Sequence, residues 1–287
     1  MARLGAGTWR KYVWAMASGP SRTLVVGREA GEAVAFEAPG GPVLAGLLFR
    51  PTFSAASGSG RHGVVLVQGF PVGGRMSGAP GYGLTHLAAR LSTETGAVVL
   101  TFDFRGTGRS EGDLSLNGWR ADLAAAVGTL RAVPGVERIW LVGFAAGATL
   151  SICAAGEDAA VAGVAAFAPQ AEFSERAIDP RRLVAQARAA GLIRSPGYPP
   201  DPAAWAGEFR ALRPAALAAK VPPRPLLIVH GANDEVVPLA DARELAEAAH
   251  ASAELRILAS AGHMLLYDPR AIALLLGWFD RYLGAAA

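Results

Sequence analysis

Residues that could do chemistry are concentrated in five short motifs, four directly after a predicted strand and one near the end of the chain. In chain order they are Gln68-Gly69-Phe70-Pro71, DFRGTGRS at 103–110, GFAAG at 143–147, HGANDEVVP at 230–238 and Ala261-Gly262-His263. Open parallel sheets bind ligands beyond the carboxyl ends of their strands, so these junctions are the first candidates for a site. Aspartate and histidine, both present in them, are residue types that serve acid–base catalysis.

The elements that must position these motifs alternate between strand and helix patterns from about residue 34 onward. Continuous apolar runs, typical of strands buried on both faces of a parallel sheet, occur at 63–67, 97–102, 139–142, 161–167 and 225–229. Two shorter candidates, 34–36 and 43–49, are joined by Pro39-Gly40-Gly41-Pro42 and predict a hairpin. Between the runs, apolar residues recur at helical spacing, as at Trp119, Leu123, Val127, Leu130 and Val133. The pattern predicts a doubly wound, mostly parallel α/β sheet of about eight strands.

One segment, 170–224, contains no convincing buried strand. Two helical pieces are predicted there, at 180–190 and 202–212, separated by the proline-rich stretch 195–200. An insertion of this length inside a compact domain is usually a lid or a binding element. We therefore expect a core domain at 34–169 and 225–287, a small helical cap at 170–224, and an N-terminal segment at 1–33 packed on the domain by Trp9 and Trp14.

Taken together and in this order, the five motifs resemble the α/β-hydrolase superfamily over roughly residues 34–283, most closely its serine aminopeptidase, acylaminoacyl-peptidase and esterase branch. The resemblance implies an eight-stranded α/β-hydrolase sheet. It assigns Asp234 to the triad acid and His263 to the general base, and their separation of 29 positions leaves room for one helix and one strand. It also assigns the backbone N–H groups of Phe70 and Ala146 to an oxyanion hole.

The nucleophile of the family pattern is absent. The resemblance places it at the centre of a small-x-nucleophile-x-small turn, where this chain has Ala145, and a methyl group cannot attack a carbonyl. Structural roles are expected for Ser110, Ser151 and Cys153, the nearest nucleophilic side chains. The residue that is usually histidine in the H-G motif is Gln68, so two family positions have changed. This double departure favours a natural loss over a laboratory substitution.

Four functions follow from this constellation. The favoured one is a hydrolytically weak or inactive protein of ester or amide hydrolase ancestry, a pseudoenzyme that binds a small apolar ligand. The second is an enzyme that uses the Asp234–His263 dyad as a general base without a covalent intermediate. The third is a serine esterase or peptidase represented by a Ser-to-Ala variant, and the fourth is an interaction protein with a filled pocket. Side chains that could line a pocket are Phe70, Phe144, Leu192, Ile193, Tyr198 and Trp205.

Composition excludes several other classes. With 52% hydrophobic and 18% charged residues the chain is expected to be globular, and no run approaches the ~20 apolar residues of a membrane span. The 27 Lys and Arg exceed the 24 Asp and Glu by three, but they are scattered, so nucleic acid is not expected as a partner. The single cysteine, Cys153, precludes an internal disulfide and fits a cytoplasmic location. The oligomeric state is left open.

No cofactor or metal is expected. The five histidines, His62, His86, His230, His250 and His263, lack the spacing of metal ligands. A G-x-G-x-x-G pattern at Gly58, Gly60 and Gly63 leads into a strand instead of following one, so it predicts a flexible loop and not a dinucleotide site.

Overall fold

The computed structural model describes residues 31–51, 61–70, 83–173, 179–250 and 253–283. Most of the predicted N-terminal segment, including Trp9 and Trp14, lies outside these ranges, as do Gly58 and Gly60 of the predicted glycine loop.

Eight strands form one sheet in the spatial order β1-β2-β4-β3-β5-β6-β7-β8. Their bounds are β1 Glu32–Glu37, β2 Val43–Phe49, β3 Arg61–Gln68, β4 Val98–Phe102, β5 Val136–Phe144, β6 Val161–Phe167, β7 Leu226–Gly231 and β8 Ala253–Leu258. The pairs β1/β2 and β2/β4 are antiparallel, and every other neighbouring pair is parallel. The predicted hairpin and the mostly parallel sheet are confirmed.

Helices cover both faces of the sheet. Their bounds are α1 Leu84–Thr95, α2 Leu116–Arg131, α3 Ala146–Glu157, α4 Pro180–Ala189, α5 Pro202–Ala211, α6 Pro214–Ala218, α7 Leu239–Ala248 and α8 Pro269–Leu283, with a 3₁₀ turn at Leu265–Tyr267. Along β3, Val65 and Val67 join one apolar cluster while Val64 and Leu66 join the other. Because side chains alternate across a strand, the two clusters are the two faces of the sheet. Helices α2, α3 and α7 pack on the first face, and α1 and α8 on the second.

Three helices, α4 to α6, are inserted between β6 and β7, and the two predicted helical pieces in this region are confirmed. Helices α4 and α5 begin in the same way. The side chains of Asp179 and Asp201 accept backbone N–H groups of the first turn, and proline occupies the first helical position.

The inserted helices are fastened to the loop that follows β4. The Leu114 N–H donates to the Leu192 carbonyl at 2.8 Å. The Arg194 guanidinium donates to the carbonyl oxygens of Ser110, Gly106 and Gly108 at 3.0, 3.2 and 3.2 Å. The carboxylate of Asp113 accepts the Arg194 and Ser195 N–H groups. These bonds fix the position of the inserted helices relative to the loop.

Candidate active site

The turn between β5 and α3 has Ala145 at its apex, with φ 52° and ψ −126°. A residue with a Cβ atom rarely adopts a positive φ, and such conformations cluster at functional sites. The flanking glycines are required by close approach. A Cβ atom on Gly143 would lie 2.4 Å from the Gly147 oxygen, and one on Gly147 would lie 2.9 Å from the carbonyl carbon of Gln68. The glycines therefore permit a sharp turn that carries Ala145 at its tip.

The loop after β3 packs directly on the start of α3. The Gly69 N–H donates to the Phe144 carbonyl at 3.1 Å, and a Cβ atom on Gly69 would lie 2.6 Å from the Ala146 nitrogen. Ala146 is the first residue of α3, so its N–H has no acceptor within the helix. Phe70 follows Gly69 immediately, so the residues predicted to form an oxyanion hole belong to adjoining segments.

A hydrogen bond joins the predicted acid and base. The Asp234 Oδ2 atom lies 2.9 Å from the His263 Nδ1 atom. The second carboxylate oxygen, Oδ1, accepts the N–H groups of Val236 and Val237, both at 2.9 Å. The carboxylate is completely buried, while the imidazole is 8% exposed.

Burial alone would raise the pKa of Asp234. The hydrogen bond from His263 and those from the Val237 and Val236 amides outweigh burial and hold the pKa of this carboxyl below its ordinary value. Asp234 is therefore ionised at neutral pH, and its charge is directed at the His263 ring.

Backbone hydrogen bonds connect the strand ends that carry these residues. The Ala145 N–H donates to Phe167 of β6, and the Ala168 N–H donates to Val229 of β7, both at 2.8 Å. Beyond β7, the Asn233 N–H donates to Ala261, two residues before His263, at 2.9 Å. The turn at Ala145, the acid loop and the histidine loop therefore share the carboxyl edge of the sheet, as the junction motifs predict.

The structural roles expected for the other nucleophilic side chains are confirmed. The Ser110 hydroxyl accepts the Ala45 N–H and donates to the Asp103 carbonyl, which ties β2 to the loop after β4. The Ser151 hydroxyl donates back to the Gly147 carbonyl within α3 at 2.8 Å. Cys153 is fully buried, and burial raises the pKa of its thiol to about 12.

Most of the side chains suggested as pocket lining belong to the core. Phe144 stacks on Phe167, with ring centroids 4.7 Å apart, in the cluster of the second face. Leu192, Ile193 and Trp205 are at most 6% exposed and join the cluster of the first face. Tyr198 is half-buried against that cluster.

Phe70 lies between the core and the inserted helices. Its ring centroid is 4.8 Å from that of Trp119 on α2 and 6.5 Å from that of Phe209 on α5. The ring is half-buried. A cavity of about 520 Å³ opens elsewhere, beside α5, α6 and α7, and Ala145, Asp234 and His263 are not among its lining residues.

One buried polar residue at this edge was not singled out from the sequence as part of the site. His230, near the end of β7, is fully buried, and its Nε2 atom lies 3.4 Å from Asp234 Oδ2. Its position directly before Gly231, at the junction between β7 and the acid loop, is the signal that could have identified it. Within the described ranges, no group of three or more His, Cys, Asp or Glu residues is arranged to hold a metal ion.

A mostly parallel eight-stranded sheet, a strained turn after β5 and an Asp–His pair after β7 and β8 define the α/β-hydrolase class. Residues 64–273 match the alpha/beta hydrolase family, and the chain belongs to this family. None of the helices in the described part of the chain has the length and apolar character needed to cross a membrane.

Particular relatives are similar over most of the chain. The polyketide transferase ATR5 of Stachybotrys chlorohalonatus is 27% identical in an alignment 279 positions long, and the match covers 81% of this chain and 90% of the relative. The α/β hydrolase GrgF from Penicillium sp. sh18 superposes with a TM-score of 0.69 at 22% identity, over 88% of this chain and 99% of that one. Est1E from Butyrivibrio proteoclasticus, with ferulic acid bound, gives a TM-score of 0.66 at 21% identity over 88% and 98% of the two chains. At these identities the solved structures show the shared fold.

Proposed function

We propose that this protein is an α/β-hydrolase of ester or amide hydrolase ancestry whose nucleophile position, Ala145, is vacant. It is hydrolytically weak or inactive and binds a small, mostly apolar ligand at the carboxyl edge of the sheet. The observation that carries the proposal is the conformation of Ala145, which keeps φ 52° and ψ −126° although its side chain has no nucleophile to present.

The surroundings of Ala145 support a hydrolytic origin. The Asp234–His263 hydrogen bond would orient an imidazole, and the amides of Phe70 and Ala146 would serve as the oxyanion donors of acyl transfer. Relatives named as an α/β hydrolase and as a polyketide transferase fit acyl chemistry in general. The serine aminopeptidase branch is the finer hypothesis, carried by the order of the five motifs.

The remaining parts of the proposal concern the surroundings of the site. We propose that 170–224, which includes α4 to α6, acts as the cap and sets ligand preference, next to a core at 34–169 and 225–287. We also propose a cytoplasmic location, to which a chain with one buried cysteine is suited.

A second function is favoured by the intact Asp–His pair, since a protein that only binds does not need it. His263, oriented by Asp234, would act directly as a general base on a bound substrate or water, and the oxyanion donors would stabilise an enolate or alkoxide. Under this alternative, His263→Ala abolishes activity. Under the binding function, the same change leaves ligand affinity nearly intact.

The test of the vacant position is a p-nitrophenyl ester panel on three proteins: the unmodified chain, Ala145→Ser, and Ala145→Ser combined with His263→Ala. We expect no burst from the first, burst kinetics from the second, and loss of the burst in the third. Ala154→Ser, which adds the same hydroxyl to a half-buried alanine of α3, is the matched control and should stay at the starting level.

Two results would overturn the proposal. A burst of product from the unmodified chain would show that a nucleophile lies elsewhere. Failure of Ala145→Ser to hydrolyse any ester would contradict the hydrolase ancestry of the site. Slow hydrolysis without a burst is compatible with it, because sites lacking one triad member retain about 10³–10⁴-fold catalysis over water.

Binding is tested with ferulic acid, the compound named with Est1E, as the probe in a calorimetric titration. We expect saturable binding by the unmodified chain, and weaker binding when Ala145 is replaced by Phe, whose larger side chain would crowd the tip of the turn. Equal affinity for both proteins would place the ligand elsewhere.

A further inference from the structure

His230 is a buried titratable residue that the proposed function does not use. It lies in β7 four residues before Asp234, and its side chain has no exposed surface. The Nε2 atom is 3.0 Å from the Val237 carbonyl oxygen and 3.4 Å from Asp234 Oδ2. The Nδ1 atom is buried and has no hydrogen-bond partner among the described residues.

These partners determine which ring nitrogen carries the proton. A carbonyl oxygen can only accept, so the Nε2 atom of His230 must be protonated to bond Val237. A proton on Nδ1 as well would leave a buried N–H group without an acceptor, which costs free energy.

The same bond closes the loop that holds the acid. The N–H of Val237 donates a hydrogen bond to Asp234 Oδ1, and the carbonyl oxygen of Val237 accepts one from His230 Nε2. The His230 ring therefore fixes the carbonyl group of Val237, while the N–H of Val237 holds one oxygen of the Asp234 carboxylate. The other oxygen, Oδ2, faces both His263 at 2.9 Å and the edge of the His230 ring at 3.4 Å.

We propose that His230 is a positioning residue for the Asp234–His263 pair. Its Nε2–H anchors the loop at Val237 and lies beside Asp234 Oδ2, so the carboxylate is held in the orientation in which it receives the His263 Nδ1–H. The role assigned to the pair rests on the proposed function, but the geometry of the hydrogen bond can be measured without catalysis.

Two replacements separate positioning from simple packing. His230→Gln places an amide N–H donor close to the position of Nε2, whereas His230→Leu fills a similar volume with no donor. Loss of packing alone would affect both variants. Loss of the donor affects only the leucine variant.

The first readout is the low-field proton NMR signal of the His263 Nδ1–H in the otherwise unchanged protein. We expect it to be present in His230→Gln and absent or displaced in His230→Leu. The second readout is p-nitrophenyl ester turnover with Ala145→Ser added to each protein. There we expect the kcat of the leucine variant to fall about tenfold, which corresponds to the loss of one hydrogen bond, while its KM changes by less than about twofold. Both kcat and KM of the glutamine variant should stay within about twofold of the parent values.

His62→Leu is the matched control, because it also removes a histidine whose ring makes a single hydrogen bond, here one that Nδ1 accepts from Trp140 Nε1 at 3.0 Å. It lies near the start of β3, at the opposite end of that strand from Gln68. This variant is expected to lower thermal stability without moving the NMR signal or kcat.

The proposal is overturned if His230→Leu is less stable but keeps the His263 signal and kcat, since His230 is then a packing residue only. It is also overturned if glutamine and leucine behave alike. If Ala145→Ser hydrolyses no ester, the proposed function fails, but the NMR comparison still decides the role of His230.

Discussion

Replacing Ala145 by glycine should make the protein more stable, although the same change in an ordinary helix does the reverse. The reason is the backbone conformation of Ala145, φ 52° and ψ −126°, which crowds a Cβ atom against its own peptide groups. Holding a non-glycine residue in such a region costs about 1–3 kcal/mol. Glycine adopts it without that cost.

Glycine also has greater conformational freedom in the unfolded chain, which lowers the free energy of unfolding by about 0.5–1 kcal/mol and so offsets part of the relieved strain. The net expectation for Ala145→Gly is an increase of about 1 kcal/mol in the free energy of unfolding. For a chain of 287 residues this corresponds to a rise of roughly 2 °C in Tm.

The assay is urea unfolding followed by circular dichroism, which gives the midpoint and the slope. Ala154→Gly is the matched control, because Ala154 is a half-buried alanine inside α3 with helical geometry. It should lose about 0.5–1 kcal/mol. If the two glycine variants lose stability equally, Ala145 is not strained, and the argument that the turn preserves a catalytic conformation fails.

Two further predictions follow from buried ionisable groups. The pKa of Asp234 is lowered by folding, so its contribution to stability is complete above its ordinary value of 3.8 and is lost as the pH falls through the lower value of the folded state. The difference in unfolding free energy between wild type and Asp234→Asn, measured in urea, should therefore be largest near neutral pH and shrink below about pH 4. A difference that grows on acidification would contradict the lowered pKa of Asp234 in the folded state. Cys153, whose pKa burial raises to about 12, should resist iodoacetamide in the folded protein and react in urea, as followed by mass spectrometry; rapid alkylation without urea would contradict its burial.

Much of the sheet was predictable because burial on both faces leaves a direct trace in the sequence. β4 and β7 are buried at every residue and appear as mostly apolar runs, with Thr101 inside β4 and His230 near the end of β7. The edge strands lack this trace, and β8 gave no apolar run at all, since Ala253–Leu258 consists of half-buried and exposed residues and includes charged side chains. Only the spacing between Asp234 and His263 left room for it.

The site was predictable where chemistry constrains residue type, and unpredictable where packing alone decides. Close backbone approach requires glycine at 143 and 147, so the turn could be located from the spacing of these glycines in the sequence. In contrast, the aromatic character of Phe144 does not reveal which face of the sheet it joins. The polar partner of Asp234 at His230 was equally hidden, because a histidine at a strand end does not show whether its ring turns inward.

The junction between the inserted helices and the loop after β4 bears on how this protein could change over evolution. The Arg194 guanidinium donates to backbone carbonyl oxygens, three of them in the loop and one, that of Gly191, in the inserted segment. Besides a hydrogen bond from the Ser195 side chain, the Asp113 carboxylate accepts the backbone N–H groups of residues 194 and 195, so most bonds of the junction end on backbone groups. Such bonds do not depend on the side chains they join, so most residues on either side can be replaced without loosening the attachment. The inserted helices can therefore diverge while a few side chains that bind backbone groups, among them Arg194, Asp113, Trp205 and Glu208, keep the junction intact. Under the proposed role of these helices as a cap, ligand preference would then evolve separately from the framework that holds Ala145, Asp234 and His263.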